Sequence, residues 1–172
     1  TKRNKPVDKW TQNELVDDLT QPIASWRTDA QDELLRRSTP QISDTLIRLA
    51  KGAKTPAEET WRTWTLALHQ TNAPWQNAKA DQALIRLAKG GGSLNQQVQA
   101  LRAIRLRLAK AEEKTDMIAT LGQALGHMNV RVRFAALQTI RQSNLRQFTQ
   151  NIINLAATES DRITFYAAWG TM

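Results

Sequence analysis

Apolar residues recur along this chain at intervals of three and four, and no useful length of it alternates apolar with polar. That is the period of helices rather than strands. The clearest stretch is 46–52, Leu-Ile-Arg-Leu-Ala-Lys-Gly, and 84–90 repeats all seven residues. In each copy Leu, Ile, Leu and Ala fall on one helical stripe, Arg and Lys lie opposite, and Gly ends the run. A looser repeat sits between them: Ser25-Trp26-Arg27-Thr28 returns as Thr60-Trp61-Arg62-Thr63. Repetition at a spacing of about 20–50 residues signals one supersecondary unit, copied and stacked.

The same reading predicts the remaining elements. Thr11 with Glu14 three residues on is a capping box, opening a short helix to about Leu19 that Pro22 ends. Ser25 is expected to cap a helix to about Arg37, with Trp26, Ala30, Leu34 and Leu35 inward, and a helix over 41–51 follows Ser38-Thr39-Pro40. Thr55, Pro56 and Glu58 open a helix over 56–70, residues 72–77 form an extended turn, and the second copy lies in a helix over 78–89. Beyond the break at 90–93, helices are expected over 96–108 and 115–125, paired through Val98, Leu101, Ile104 and Leu108 against Met117, Ile118, Leu121 and Leu125. Asn129 caps a helix over 130–141 that pairs with one over 145–157, and Asp161 caps a last helix. Residues 1–10, charged and without apolar period, read as a tail or linker. Residues 11–172 form the repeat domain, which reads as cut short because nothing follows to cover Ile163, Phe165, Tyr166 and Trp169.

Arg27, Arg62, Gln97, Arg133 and Arg162 fall in register when the first helix of each unit is aligned. The expected fold is all-α: a right-handed α-solenoid of about four and a half helical hairpins, each too short to bury its own stripe.

Composition narrows the function. The chain has 172 residues, 41% hydrophobic, so it can build a core. Absence of cysteine excludes disulfides, zinc–thiolate sites and CxxCH haem attachment within it. No apolar run approaches the roughly 18 residues of a transmembrane segment, and no stretch reads as a signal peptide. Net charge is +8, and residues 117–158 hold four arginines and no acid. Such a balance admits nucleic acid, an acidic protein or an anionic membrane surface as partner, although solvated helix faces and helix ends account for charge of this kind equally well.

The tetratricopeptide pattern W-x-x-L-G-x-x-Y and the ankyrin T-P-L-H are both absent. Asn129-Val-Arg-Val-Arg-Phe-Ala-Ala-Leu137 and Asp161-Arg-Ile-Thr-Phe-Tyr-Ala-Ala168 resemble the first helix of a HEAT repeat, a polar N-cap leading into V-R-x-x-A-A-x-x-L. The short units look like the bacterial variety, and the resemblance spans about 11–172. Locally, Ser25-Trp26-Arg27-Thr-Asp-Ala30-Gln31-Asp-Glu-Leu34-Leu35 resembles the W-R-x-x-A-Q-x-x-L segment in the HEAT region of large exported bacterial proteins of the membrane-bound dehydrogenase and haem-binding family. In that family a β-propeller precedes the helical region and a c-type cytochrome domain follows it. The resemblance implies an exported or periplasmic parent whose redox chemistry lies outside this segment, with no cofactor here.

Candidate chemistry is sparse. His69 and His127 lie far apart without metal-ligand spacing and read as surface or inter-repeat hydrogen-bonding residues. Met117 fits a helix stripe as core. Lys89-Gly-Gly-Gly-Ser93 lacks the order of a phosphate-binding loop and reads as a turn. Carboxylate pairs at 58–59 and 112–113 sit at helix starts, where the macrodipole favours them. No catalytic, metal or cofactor residue is assigned. In HEAT arrays the second helix of each hairpin lines the concave face, which here would carry Arg48, Lys51, Arg86, Lys89, Lys114 and Arg146.

The expected function is a non-catalytic scaffold or protein-interaction segment, engaging a protein partner or neighbouring domains of its own chain. The alternative is a nucleic-acid-binding protein similar to the HEAT-like DNA glycosylases. It would use that basic face, with Trp26, Trp61 and Trp64 as an aromatic surface flanked by Arg62, Arg86 and Lys89. The catalytic Asp and paired aromatics of such enzymes are not found in this sequence.

Overall fold

The computed structural model describes residues 5–72, 78–108 and 114–171. The expected turn over 72–77, the Glu112–Glu113 pair and Met172 lie wholly or mostly outside them. Every regular element described is helical: α1 (Gln12–Asp18), α2 (Ala24–Arg37), α3 (Pro40–Lys51), α4 (Pro56–Asn72), α5 (Ala78–Ala88), α6 (Leu94–Arg107), α7 (Lys114–Leu125), α8 (Val130–Gln142), α9 (Thr149–Thr158) and α10 (Arg162–Trp169). Short 3-10 turns stand at Val7–Lys9 and Arg146–Phe148.

Local sequence explains most boundaries. The Thr11–Glu14 capping box forms, with the Glu14 carboxylate taking the Thr11 N–H at 2.6 Å. Thr39, Thr55, Ser93, Asn129 and Asp161 each accept a first-turn N–H of the helix that follows. One expected cap differs. Helix α2 starts at Ala24 with Ile23 as N-cap, so Ser25 is already inside the first turn. Ile23, extended after Pro22, presents its carbonyl to the Arg27 N–H at 3.4 Å and opens the helix early. The expected 145–157 helix begins later, at Thr149, because Asn144 at φ 51° and the 3-10 turn consume its start. Within the stretch expected as a tail, Trp10 is buried, its indole N–H on the Lys5 carbonyl, and Arg37 donates to the carbonyls of Val7 and Asp8.

Among the described residues, substantial contacts join only helices adjacent or next-but-one in order. The even helices touch in sequence, α2 to α4, α6, α8 and α10, and the odd helices touch α3 to α5, α7 and α9. Hydrogen bonds repeat across the even row: Gln31 to Thr65, Trp64 to Gln99, Asn95 to Glu59, and Thr139 to the Leu101 carbonyl. The core runs unbroken between the two rows, from Leu15, Leu34 and Leu46 through Leu66, Leu84 and Leu101 to Leu121, Leu137 and Ile152.

Pairing departs from expectation. Each odd helix packs chiefly on the even helix after it, so α7 lies mainly on α8 rather than α6, and α9 on α10 rather than α8. For α2, α4, α6 and α8 the register residues explain why. Arg27 donates to the carbonyls of Gln21 and Pro22, Arg62 to Leu49, Gln97 to Ala88, and Arg133 to His127 and Met128. Each ties its helix to carbonyls at or just past the end of the preceding helix. Arg162, placed in this series by sequence, is not equivalent. Counted from the N-caps, Phe165 stands where Gln97 and Arg133 stand, so α10 has no such anchor.

Candidate functional site

The titratable residues that chemistry would need are mostly spent on packing. His69, expected at the surface or between repeats, is fully buried in α4, and burial lowers its pKa to about 4, so it is neutral at physiological pH. His127 accepts the Asn129 N–H on Nδ1 at 3.0 Å, a turn contact. Asp81 and Arg107 form a fully buried bidentate pair between α5 and α6, at 2.8 and 3.3 Å. Arg133 holds Glu159 through two bonds of 2.7 Å, which pulls the Glu159 carboxyl below its ordinary range. Among the described residues no group of three His, Cys, Asp or Glu is placed to hold a metal ion.

The expected phosphate-free reading of the glycine run has a geometric basis. Gly90 takes φ 94°, with its N–H on the Leu87 carbonyl and the Gly91 N–H on the Arg86 carbonyl at 2.9 Å. This is a left-handed helix stop, and the Ser93 hydroxyl is committed to capping α6.

Aromatic candidates are likewise absorbed. Trp26, Trp61 and Trp64 are half-buried. Arg27 of α2 lies over the Trp61 ring of α4 at 5.2 Å, and the Trp64 N–H bonds Gln99 of α6 at 3.0 Å. Trp61 and Trp64 thus serve junctions between successive even helices rather than an open stacking surface.

All six residues of the expected basic face are exposed, and none makes an ion pair among the described residues. The depressions that hold them group them only in part. Arg48 and Lys51 stand in the last turn of α3. Arg86 and Lys89 line a shallow depression with Asp116, whose carboxylate offsets part of their charge. Lys114 instead shares a depression with Arg105, and Arg146 shares one with Arg141. The last two depressions share Leu145, which joins Arg105, Lys114, Arg141 and Arg146 in one surface with no acid among its described lining residues. Arg105 and Arg141 were not singled out from sequence because both sit at helix C-termini, where a cation already complements the macrodipole. For Arg141 the signal was the acid-free run of 117–158, which Arg105 precedes.

A second surface lies at the end of the even row. Ile163, Tyr166 and Trp169 of α10 are 69%, 61% and 60% exposed. Phe165 meets both Tyr166 and Trp169 edge-on, with ring centroids 5.5 and 6.3 Å apart, which braces the aromatic group.

No helix among the described residues is long and apolar enough to cross a membrane. No protein-family profile matches the chain, and no curated protein does either.

Proposed function

We propose that the chain is a short right-handed α-solenoid of HEAT-like units and serves as a non-catalytic scaffold that docks a protein partner or neighbouring domains. The observation that carries this reading is the recurring anchor. Arg27, Arg62, Gln97 and Arg133 do one job at four successive junctions, and among the described residues substantial contacts join helices adjacent or next-but-one in order. A one-dimensional array of this kind offers extended surfaces rather than an enclosed site. The likeness to exported redox proteins belongs to the same proposal and is structural in content. Of the residues that carry it, Arg27 anchors a turn, Gln31 bonds Thr65, and Ala30 and Leu34 are core. Any redox step of such a parent would use other segments.

One observation favours nucleic acid as the second reading, the surface of Arg105, Lys114, Arg141 and Arg146, whose described lining holds no acid. Fluorescence anisotropy with labelled duplex DNA at physiological salt decides between them. The scaffold reading expects binding weaker than about micromolar, within the range of non-specific association, and no excised base. Micromolar or tighter binding, lost in Arg105→Glu/Arg141→Glu or in Arg48→Glu/Arg86→Glu with the fold intact, would overturn it.

A further inference from the structure

Helices α7 and α9 meet far less closely than their neighbours α6 and α8. Their point of approach is Gly122, where a Cβ would come within 3.0 Å of the Phe148 ring just ahead of α9. Beyond it they part around a cleft of about 640 Å³, within the size range of ligand sites. One wall is Gly122, Leu125 and His127 at the end of α7, and the other is Asn151, Asn154 and Leu155 along α9. The cleft lies between two helices already in place, so a further unit stacked on α10 would leave it open.

Its lining is neutral although the chain carries +8. The charged side chains in it are Arg133 and Glu159, which hold each other through two bonds of 2.7 Å. Arg133 also donates to the His127 and Met128 carbonyls, and Glu159 takes the Asp161 N–H. Charges that adjoin the lining in sequence, Arg131, Asp161 and Arg162, are of both signs. What the cleft offers instead is amides and a ring N–H over the apolar Leu125 and Leu155. Asn151 is exposed, and its side chain makes no hydrogen bond among the described residues. Asn154 accepts from Gln150 at 3.0 Å, while its own NH2 makes no bond among those residues. His127 Nδ1 accepts the Asn129 N–H, which leaves the ring proton on Nε2.

We infer that the cleft between α7 and α9 binds an extended, uncharged peptide segment of a partner protein, whose main chain pairs with Asn151 and Asn154 while one aliphatic side chain rests on Leu125 and Leu155. A primary amide carries a donor and an acceptor on one group, the pair that a main-chain peptide unit needs. Asn151 can therefore take both a main-chain N–H and a C=O, and Asn154 donates to a further C=O. Three residues apart on a helix, the two stand about 5–6 Å from each other. Peptide units facing one way along an extended chain recur every ~7 Å, a difference that side-chain rotation covers. A charged ligand would have to break the Arg133–Glu159 pair or be buried without a partner. The inference rests on the scaffold reading and gives that reading a partner chemistry and a place.

The test titrates the whole isotope-labelled chain with short capped peptides of serine and threonine carrying leucine, aspartate or lysine at the centre. The leucine peptide is expected to shift the side-chain amide signals of Asn151 and Asn154 saturably. Its affinity should exceed that of either charged peptide about tenfold at physiological salt. N-methylating the main chain on both sides of the leucine should weaken binding about tenfold, because the peptide units lose their donors. Asn151→Ala with Asn154→Ala should weaken it as much. Both residues are exposed, so thermal unfolding of the double variant should be unchanged. No saturable shift of those signals, equal affinity for the N-methylated or charged peptides, or an affinity that the double variant retains would overturn the inference. So would shifts of the same signals with protein concentration alone, which would place a second copy in the cleft. Any of these with DNA binding still weak leaves the scaffold reading standing; tight DNA binding removes that reading first.

Discussion

In the first copy of Leu-Ile-Arg-Leu-Ala-Lys-Gly, Ile47 and Leu49 are half-buried and Gly52 closes the helix at φ −99°. In the second, Ile85 and Leu87 are buried and Gly90 closes it at φ 94°. Seven identical residues form the same helix in both places, yet their burial and stops differ. Helix α5 lies in the middle of the odd row, between α3 and α7, whereas α3 stands at its start. Neighbouring residues of α6 treat the copies alike in one respect. Gln96 donates to the Ala50 carbonyl and Gln97 to that of Ala88, the same position of each copy. A stripe therefore specifies a helix and an inward side, while position in the stack decides how much of that side is covered.

The largest break in this comparison comes one turn before each copy. Asp81 occupies the position that Ser43 holds in the first unit, and both are fully buried. Asp81→Ala strands the Arg107 guanidinium and should cost about 3–5 kcal/mol; Ser43→Ala should cost about 1 kcal/mol. Urea titration of the two variants reads the gap directly. Similar midpoints would mean that Arg107 finds water or another partner once Asp81 is gone. Replacing both members, Asp81→Leu with Arg107→Met, should recover most of the loss.

Next in size is the second leucine of each copy. Leu87→Ala should destabilise by about 2–5 kcal/mol. The half-buried Leu49 removes less apolar area from water, so Leu49→Ala should cost about 1–2 kcal/mol. If calorimetric melting shifts the two variants equally, position in the stack does not control burial energy in the way argued.

The smallest effect is the sharpest in sign. A side chain at Gly90 would meet open van der Waals distances but a left-handed backbone, so Gly90→Ala should destabilise by about 1–2 kcal/mol. At Gly52, with φ negative and no contact closer than 3.8 Å, alanine should be neutral or stabilise by about 0.5 kcal/mol. Opposite signs in one pair of unfolding curves are expected, and a shared sign would refute the assignment of the two stops.

Legibility in the sequence followed range. Caps and stripes are local, and Thr11, Thr55, Asn129 and Asp161 could be read without a structure. The register series was readable as far as Arg133 because each member faces the same junction. It failed at Arg162, where spacing pointed to one residue and the cap count to another. The pairing of α7 and α9 with later helices was not readable, since an apolar stripe names an inward face without naming the helix it meets. Nor was the Asp81–Arg107 pair, whose members are 26 residues apart and look like ordinary surface charges on their own helices. The basic face was readable residue by residue as exposed charge, but its grouping depends on which helix ends meet, so Lys114 and Arg146 found Arg105 and Arg141 instead of Arg86.

The register anchors have a bearing on how such a chain can change. Their acceptors are main-chain carbonyls, which every residue supplies whatever its side chain. Arg27 reaches back six residues, Gln97 nine and Arg62 thirteen, to reach equivalent ends. The intervening turns can therefore drift in length and spelling while each seam survives, as the unlike segments 52–55, 89–93 and 126–129 display. Insertions of a residue or two in these turns should be tolerated far better than a single change of arginine to a residue that cannot donate. Divergence would then erase the letters of the turns first and leave the donors as the last readable trace of a common unit.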